Sequence, residues 1–422
     1  MDVINTGDTA WVLASGALVL FMTPALALFY GGMVRAKSAL NMMMMSFAAM
    51  GVTSIIWVLY GYSLAFGKSH HGIIGGFDHL GLGGTLDQVV GPEGHQIPTL
   101  AFAMFQMTFA IITVALLSGA IADRAKYGSW VLFVAIWITL VYLPVAHWVF
   151  AAQNGDGGWI VDHLKALDFA GGLVVEINSG AAALALALVL GKRDGFKRDP
   201  MRPHNMPLVL LGAGALWFGW FGFNAGSALS AGQLAATAMI NTQIATAAAS
   251  MTWVAYEKYR DGKATTLGVA SGAVAGAVAI TPACGYLNPL GALILGLIAG
   301  VVSAWAVTRK YKYSYDDSLD VVGVHGVGGI LGMLFIGIFA TLTANVAGAN
   351  GLLFKGGVTQ LDRQLLAVVV VALFSFGATW LIATIIQKTI GFRVFRDDEL
   401  NGLDTTFHAE SAYDITGNSN RY

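Results

Sequence analysis

The sequence contains little charge, one cysteine and nine prolines among its 422 residues. Only 11% of the residues are Asp, Glu, Lys or Arg, whereas a soluble domain carries about 25%. This composition excludes an ordinary soluble globule. The single Cys284 excludes an internal disulfide and a cysteine-based metal cluster. A net charge of −1 without a basic domain gives no indication of nucleic-acid binding.

Hydrophobic sequence is what the chain has in abundance, with 56% apolar residues and a mean hydropathy of +0.67. Runs of about 20 apolar residues recur along the chain, and a run of that length can cross a bilayer as a helix. We therefore predict an all-α polytopic membrane protein with eleven transmembrane helices. The predicted spans are 10–34, 41–66, 99–121, 128–150, 170–191, 207–229, 235–256, 265–283, 290–308, 321–342 and 364–388.

Positive charge is distributed unevenly between the predicted loops. Of the 23 Lys and Arg residues, all except Lys68, Lys165, Lys355 and Arg363 lie in odd-numbered loops or near the C-terminus. Because cytoplasmic loops carry the excess of positive charge, we predict an N-out, C-in topology. The predicted organisation is a membrane domain over 1–390 and a cytoplasmic tail over 391–422.

The longest predicted loop, 67–98, is rich in glycine and is expected outside the membrane. It contains the histidines His70, His71, His79 and His95. A solvated loop explains these histidines more simply than a metal site does. No metal and no other cofactor is therefore predicted.

Glu176 and His325 each stand as a lone ionisable residue within an otherwise apolar predicted span. Burying charge at lipid depth is costly, so such residues usually mark the path of a polar species. One interpretation is that each residue hydrogen-bonds to nearby backbone and holds helices together. We favour a shared polar station in a narrow pore, where a Glu/His pair can hold or transfer one proton.

A weak internal repetition links the same two spans. Leu167-Asp168 precedes the fifth span and Leu319-Asp320 precedes the tenth. Because these spans have opposite predicted orientations, the pattern favours two inverted five-helix halves with a site at their interface. Chance similarity between glycine-rich helices is the alternative. Asp168 is expected to cap its helix, to orient backbone carbonyls toward a cation, or to do both.

Aromatic residues form a second group of candidates. Phe109, Phe150 and Phe223 lie near span ends or interruptions, where packing is the usual role of a single aromatic residue. The segment 217–227 differs, because its aromatics alternate with glycines and it ends in Asn-Ala-Gly-Ser. Aromatic faces attract small cations, and the hydroxyl of Ser227 adds a hydrogen-bond acceptor.

Five motifs, in this order, give the chain its resemblance to a known family. They are ALFYGG at 27–32, ALDFAGG at 166–172, GWFGFNAGS at 219–227, TPACGY at 281–286 and GVHG at 323–326. From about Trp11 to Tyr413, the chain resembles the ammonium transporter (Amt/Mep/Rh) family, specifically its bacterial Amt branch. The resemblance implies eleven spans, an inverted five-plus-five repeat, and a homotrimer with one pore per subunit.

The resemblance also implies roles for individual residues. Phe109 and Phe223 correspond to stacked gate phenylalanines, Ser227 to the acceptor of an external ammonium site, Asp168 to the acid that supports this site, Trp220 to a pore-wall tryptophan, and Glu176 and His325 to the positions of twin histidines. Glu176 is a departure that resembles fungal members. A second departure is Phe150, where the family has a tryptophan, and Phe is the weaker cation–π partner.

These observations predict an ammonium transporter of the plasma (inner) membrane. It is expected to recruit NH4+ externally at Phe109, Phe150, Ser227 and Asp168, to remove a proton, and to conduct NH3. Separate transfer of the proton across the membrane over the Glu176/His325 relay is possible in addition to NH3 conduction. The alternative is an ammonium-sensing receptor with little conduction, although no output domain follows the segment 399–413 that resembles the family's tail.

The predicted partners are ammonia or ammonium, the lipid bilayer and other copies of the chain. Family resemblance also points to a PII-type regulator on the cytoplasmic face. An intramembrane enzyme is a distant third interpretation, since Ser179 near Glu176 fits helix packing better than a nucleophile. The chain is therefore not predicted to be an enzyme.

Overall fold

A helix occupies each of the eleven predicted segments in the computed structural model, which describes residues 4–153 and 155–413. Several of these helices contain short 3₁₀ or π turns. The helices are α1 (Thr6–Met33), α2 (Ala36–Phe66), α3 (Thr99–Ile121), α4 (Tyr127–Phe150), α5 (Gly172–Leu190), α6 (Met206–Gly226), α7 (Gln233–Asp261), α8 (Thr266–Ile280), α9 (Pro289–Tyr313), α10 (Val322–Phe339) and α11 (Thr359–Thr389).

The helix starts follow from local capping chemistry. The first amides of a helix have no partner within it, and a polar side chain just before the helix can accept from them. Asn5, Asn205, Thr265 and Asn288 accept in this way at the starts of α1, α6, α8 and α9. These caps fix where the loops end and the apolar helices begin.

Within the described residues, nine of the eleven helices are long and apolar enough to cross a membrane; the exceptions are α7 and α8. In α7, the buried Asn241 amide donates to the carbonyls of Cys284 and Leu287, both at 2.8 Å. Polar side chains that bond between helices lower the hydropathy of α7 without facing lipid.

Helix α8 is shorter than the sequence pattern predicts. It ends at Ile280 rather than at 283, and the next residues form a turn that includes Pro282. Proline lacks an amide donor and clashes with the preceding turn, so it does not continue a helix. The count of eleven spans and the N-out, C-in topology therefore remain predictions.

Helices α5 and α10 cross in opposite directions at very close range. A Cβ on Gly172 would lie 3.1 Å from the Met333 sulfur, and one on Gly329 would lie 2.8 Å from the Glu176 Cβ. Further along, a Cβ on Gly180 would overlap the backbone of Gly326. Two antiparallel helices related in this way are what an inverted repeat requires, although the repeat as a whole remains a prediction.

The 67–98 loop folds into two small antiparallel hairpins. Strands β1 (Ser69–His70) and β2 (Ile74–Gly75) form one pair, and β3 (Val89–Val90) and β4 (Ile97–Pro98) form the other. Near the second hairpin, His95 Nδ1 lies 2.8 Å from the buried carboxylate of Asp8 in α1. This contact holds the loop against the start of the first helix.

The C-terminal segment packs against the loops at one end of the helices. A short helix α12 (Arg396–Asn401) contains the fully buried Glu399, which accepts from Arg393 and from the Asp194 amide. The carboxylate of Asp404 accepts from two amides at the start of α2. The predicted boundary at 390 coincides with the end of α11, whereas 414–422 of the predicted tail lie outside the described residues.

The crossing of α5 and α10 generates a stability prediction. Gly180→Ala should destabilise the protein by about 1–3 kcal/mol or more, because the new methyl group meets the Gly326 backbone and the backbone must shift. Melting of the purified protein in detergent, followed by tryptophan fluorescence, measures the effect.

Gly214→Ala in α6 is the matched control, since nothing lies within 4 Å of a Cβ there. Removing a helical glycine in open space should leave the melting temperature unchanged or slightly raise it. Equal melting of Gly180→Ala and the wild type would contradict the close approach.

Candidate pore and outer binding pocket

Two neighbouring cavities lie on the side of the helix bundle that carries the 67–98 loop. The larger cavity, of about 760 Å³, lies between the 67–98 loop and the ends of several helices, and its walls include Tyr62, Phe66 and His95. The smaller cavity, of about 120 Å³, follows it and shares Phe102 and Phe150 with the larger one. The lining of this outer pocket consists of Phe102, Gln106, Phe109, Phe150, Phe169, Ser227 and Leu229.

Ser227 and Phe150 both contribute to the outer pocket. The Ser227 hydroxyl donates to the Phe223 carbonyl at 2.8 Å, which leaves its oxygen lone pairs free to accept. Trp148 faces elsewhere, because its indole N–H donates to the Ile73 carbonyl at 2.8 Å and its ring packs against Phe374. The pocket therefore presents a phenyl ring, rather than an indole, at position 150.

The rings of Phe109 and Phe223 close the inner end of the outer pocket. Their centroids lie 4.4 Å apart at an angle of 45°, and both side chains are buried. Phe109 comes from α3 and Phe223 from α6, so the two rings meet across the bundle. A molecule that passes this point has to displace at least one ring.

Beyond the two rings lies a narrow apolar cavity of about 10 Å³, which is barely enough for one water molecule. Trp220 forms part of its wall and packs against Phe223 at a centroid distance of 5.7 Å. The Trp220 indole N–H donates to the Thr281 hydroxyl at 2.9 Å and so is satisfied by protein. Glu176 and His325 are the ionisable side chains in this wall.

Glu176 and His325 contact each other directly. Oε2 of Glu176 lies 2.7 Å from Nδ1 of His325, and the two residues are 1% and 4% exposed. Oε1 of Glu176 has no partner among the described residues. The pair therefore shares one short hydrogen bond and keeps an unused carboxylate oxygen in a narrow, mostly apolar cavity.

Local backbone structure explains why these two side chains meet. Glu176 lies in the π-helical turn Gly172–Ile177 at the start of α5, and His325 lies in the π-helical turn Val322–Gly326 at the start of α10. Such turns shift the register of a helix and recur at functional sites. The glycine contacts of Gly180 and Gly329 bring the two helices close enough for one hydrogen bond to join them.

Asp168 supports the start of α5 rather than lining the outer pocket. Its carboxylate accepts from the amides of Gly171, Gly172 and Leu173 at 2.7–2.8 Å. Its neighbour Phe169 reaches the outer pocket, whereas Asp168 borders a separate cavity. The sequence predicted two roles for Asp168, a helix cap and an anion that orients backbone carbonyls toward a cation. The structure shows the capping contacts, and the second role stays a prediction.

Comparison with known proteins identifies the family of this chain. The model of the Ammonium Transporter Family matches residues 10–413. The chain is 52% identical to the ammonium transporter of Mycobacterium tuberculosis, over 98% of this chain and 92% of that protein. It is 47% identical to the ammonium transporter of Bacillus subtilis, over 97% and 99% respectively. This chain belongs to the ammonium transporter family.

Solved structures agree with this assignment. The structure of Candida albicans Mep2 superposes with a TM-score of 0.84 at 32% identity, over 94% of this chain and 88% of that one. A structure described as a sensor Amt protein superposes with a TM-score of 0.87 at 28% identity, over 95% and 98%. The chain is thus a multi-pass membrane protein of a transporter family, which supports transport rather than enzymatic activity.

In this family member, the counterpart of Asp168 is not the residue that the sequence repetition indicated. The Leu319-Asp320 motif pointed to Asp320, but Asp320 forms an ion pair with Lys310 at 2.6 Å. Asp317 instead accepts from the amide of Val322, the first residue of α10, at 2.7 Å. The sequence does not show this three-residue offset, because both aspartates precede α10 and only the folded backbone decides which carboxylate reaches its first amides.

The neighbouring carboxylates of Asp316 and Asp317, just before α10, have opposite electrostatic environments. Burial alone would raise the pKa of Asp316, but hydrogen bonds from Arg193 and the charges of Arg124 and Arg193 lower it to about 2. Burial raises the pKa of Asp317 to about 6, although the Lys310 charge opposes this rise. Asp316 is therefore held in a tight ion pair, whereas Asp317 carries a desolvated charge.

This contrast predicts a pH-dependent stability difference. The folded pKa of Asp317 lies above its unfolded value, so ionisation costs the wild type up to about 3 kcal/mol as the pH rises from about 4 to about 6. The stability of Asp317→Asn relative to the wild type should therefore increase over this window and level off above it. Melting temperatures across pH 4–8 measure the change.

Asp316→Asn is the control for the same experiment. Because the folded pKa of Asp316 is depressed to about 2, its contribution is lost only as the pH falls below about 4. The difference between this variant and the wild type should stay constant from pH 5 to 8. A flat profile for Asp317→Asn as well would contradict the desolvated carboxylate.

Proposed function

We propose that this chain is an ammonium transporter that takes up NH4+ at its outer pocket and conducts NH3 through the narrow cavity. The observation that carries the proposal is the Glu176/His325 pair, which joins α5 to α10 inside an apolar channel. Family membership supports ammonium as the substrate. The order of cavities supports a single path that passes the Phe109/Phe223 rings.

Recruitment begins where aromatic faces and the Ser227 oxygen surround the outer pocket. A small cation gains attraction from ring faces, and its N–H groups need acceptors as water is removed. Phe150 provides a weaker cation–π contact than a tryptophan would. Asp168 acts from behind by fixing the backbone at the start of α5.

Deprotonation separates ammonium from other monovalent cations. Moving an intact ion through a cavity of this size and polarity would cost many kcal/mol, and K+ of similar size has no proton to release. NH4+ divides into neutral NH3 and one proton, and NH3 then crosses the apolar segment. Selectivity against K+ follows from this chemistry rather than from the width of the channel.

The Glu176/His325 pair then provides a route for the proton. Oε1 of Glu176 is free to accept a proton, and the 2.7 Å contact from Oε2 to Nδ1 allows transfer to the imidazole. His325 Nε2, at the far side of the ring, would release it. Because the proton crosses over the pair while NH3 crosses the apolar segment, transport is electrogenic.

In the cell, we propose a homotrimer in the plasma (inner) membrane with eleven spans, an external N-terminus and a cytoplasmic tail, each subunit with its own pore. A PII-type protein is the proposed regulator on the cytoplasmic face. The packing of the C-terminal segment against the loops, through Glu399 and Asp404, supports a site there that a partner can influence.

An ammonium sensor is the second candidate, because the sensor Amt structure superposes on 95% of this chain. Uptake of labelled methylammonium into proteoliposomes separates the two functions. A transporter should accumulate label in proportion to time and protein, above empty vesicles. Binding of ammonium without uptake would reject the transporter and favour the sensor.

Substitution of the central pair tests the relay. Glu176→Gln and His325→Ala should each lower ammonium-dependent current at least about tenfold, because the proton route is interrupted. Glu176→His should retain ammonium-dependent current but shift its pH profile relative to the wild type, since an imidazole replaces a carboxylate. Solid-supported-membrane recordings measure the currents.

Lys355→Gln in the loop before α11 is the control, because Lys355 lies outside the cavities described above. It should leave both current and pH profile unchanged. Currents in Glu176→Gln and His325→Ala that equal the wild type and still exclude K+ would remove the relay from the mechanism.

A further inference from the structure

Helix α3 presents a polar side chain to the outer pocket that the proposed mechanism does not yet use. Phe102, Gln106 and Phe109 are spaced by four and three residues, so they lie on one face of the helix. All three line the 120 Å³ outer pocket. Gln106 therefore stands between two aromatic rings at the place where we expect the cation to rest.

The side chain of Gln106 faces the outer pocket without a hydrogen-bond partner from the described part of the protein. The residue is only 8% exposed, and within 4–153 and 155–413 its side chain makes no hydrogen bond. Other buried amides behave differently; Asn241, for example, donates to two carbonyls. A polar group that lines a pocket without a protein partner has to find its hydrogen bonds inside the pocket, from a ligand or from water.

The chemistry of the pocket wall narrows the choice of ligand. Of the seven lining side chains, five are phenylalanine or leucine and offer no oxygen. Ser227 and Gln106 provide the oxygen acceptors, and neither carries a charge. Acceptors among ring faces suit a small cation with several N–H donors better than an anion or an apolar molecule.

We propose that Oε1 of Gln106 accepts a hydrogen bond from ammonium in the outer pocket, as a second acceptor beside Ser227. The inference rests on the proposed transport function and assigns a further affinity-determining residue to it. Ammonium has four N–H groups to satisfy when it leaves water, and Ser227 accepts from at most two. Phe150 attracts a cation more weakly than a tryptophan would, and the Gln106 carbonyl offsets part of this loss.

Transport kinetics in proteoliposomes test this role. Gln106→Met keeps the length of the side chain but removes the carbonyl oxygen. It should raise KM for ammonium about tenfold, because one hydrogen bond to a charged group is lost. The maximal rate should stay within about twofold of the wild type, since the Glu176/His325 pair is untouched.

Gln106→Glu is the second variant and keeps an acceptor oxygen at the same position. It should retain a KM near or below that of the wild type. Its negative charge should also make K+ an inhibitor of uptake, because a fixed anion attracts any monovalent cation. This variant decides the proposal if Gln106→Met fails to fold.

Gln243→Met provides a matched control for the loss of a glutamine amide. Gln243 is an exposed residue of α7 that accepts from the Trp217 side chain at 3.1 Å, away from the pocket. Its KM should equal that of the wild type. A tenfold rise in this control as well would overturn the assignment to Gln106.

The remaining outcomes separate this inference from the proposed function. An active wild type with an unchanged KM in Gln106→Met would overturn the role of Gln106 and leave ammonium transport standing. A lower maximal rate at constant KM would also overturn it, since it indicates a structural effect on the pore. A wild type without any uptake would reject the proposed function itself.

Discussion

The structure depends on one constraint: an acid and an imidazole that lie in an apolar cavity must satisfy each other. Glu176 and His325 do so over 2.7 Å, and an ionisable group left alone there would carry a large desolvation cost. The contact requires α5 and α10 to approach until their backbones nearly touch, which glycine permits at Gly180 and Gly326. The close helix crossing and the Glu176/His325 contact of the proposed pore therefore depend on each other.

At the starts of α5 and α10, buried polar groups also have to satisfy each other. Each helix begins with a π-helical turn whose free amides are capped by a carboxylate, Asp168 at α5 and Asp317 at α10. The caps fix the backbone that positions Glu176 and His325, so acidic residues that never enter the narrow cavity still determine its geometry. The proposed pathway combines aromatic attraction at its entrance, steric closure at two rings and a polar pair in its centre.

Hydropathy predicted the positions of the helices well, because an apolar run that must satisfy its backbone in lipid has few alternatives to a helix. It predicted α8 less well, since Pro282 ends the helix inside a run that stays apolar. The short sequence repeat was also a poor guide to the cap of α10. Leu319-Asp320 resembles Leu167-Asp168, yet Asp317 makes the capping contact. Gln106 could have been found from its spacing with Phe102 and Phe109, but its burial could not.

The sequence by itself determined the class of the protein, the helical segments and the isolated ionisable residues, because composition and hydrophobic runs act locally and are read one segment at a time. The tertiary structure decided which of these residues meet. Residues 176 and 325 are far apart along the chain, and their contact depends on the crossing of α5 and α10 and on the register of two π-helical turns. Trp148 and Phe150 illustrate the same limit, since only packing decides which ring faces the pocket.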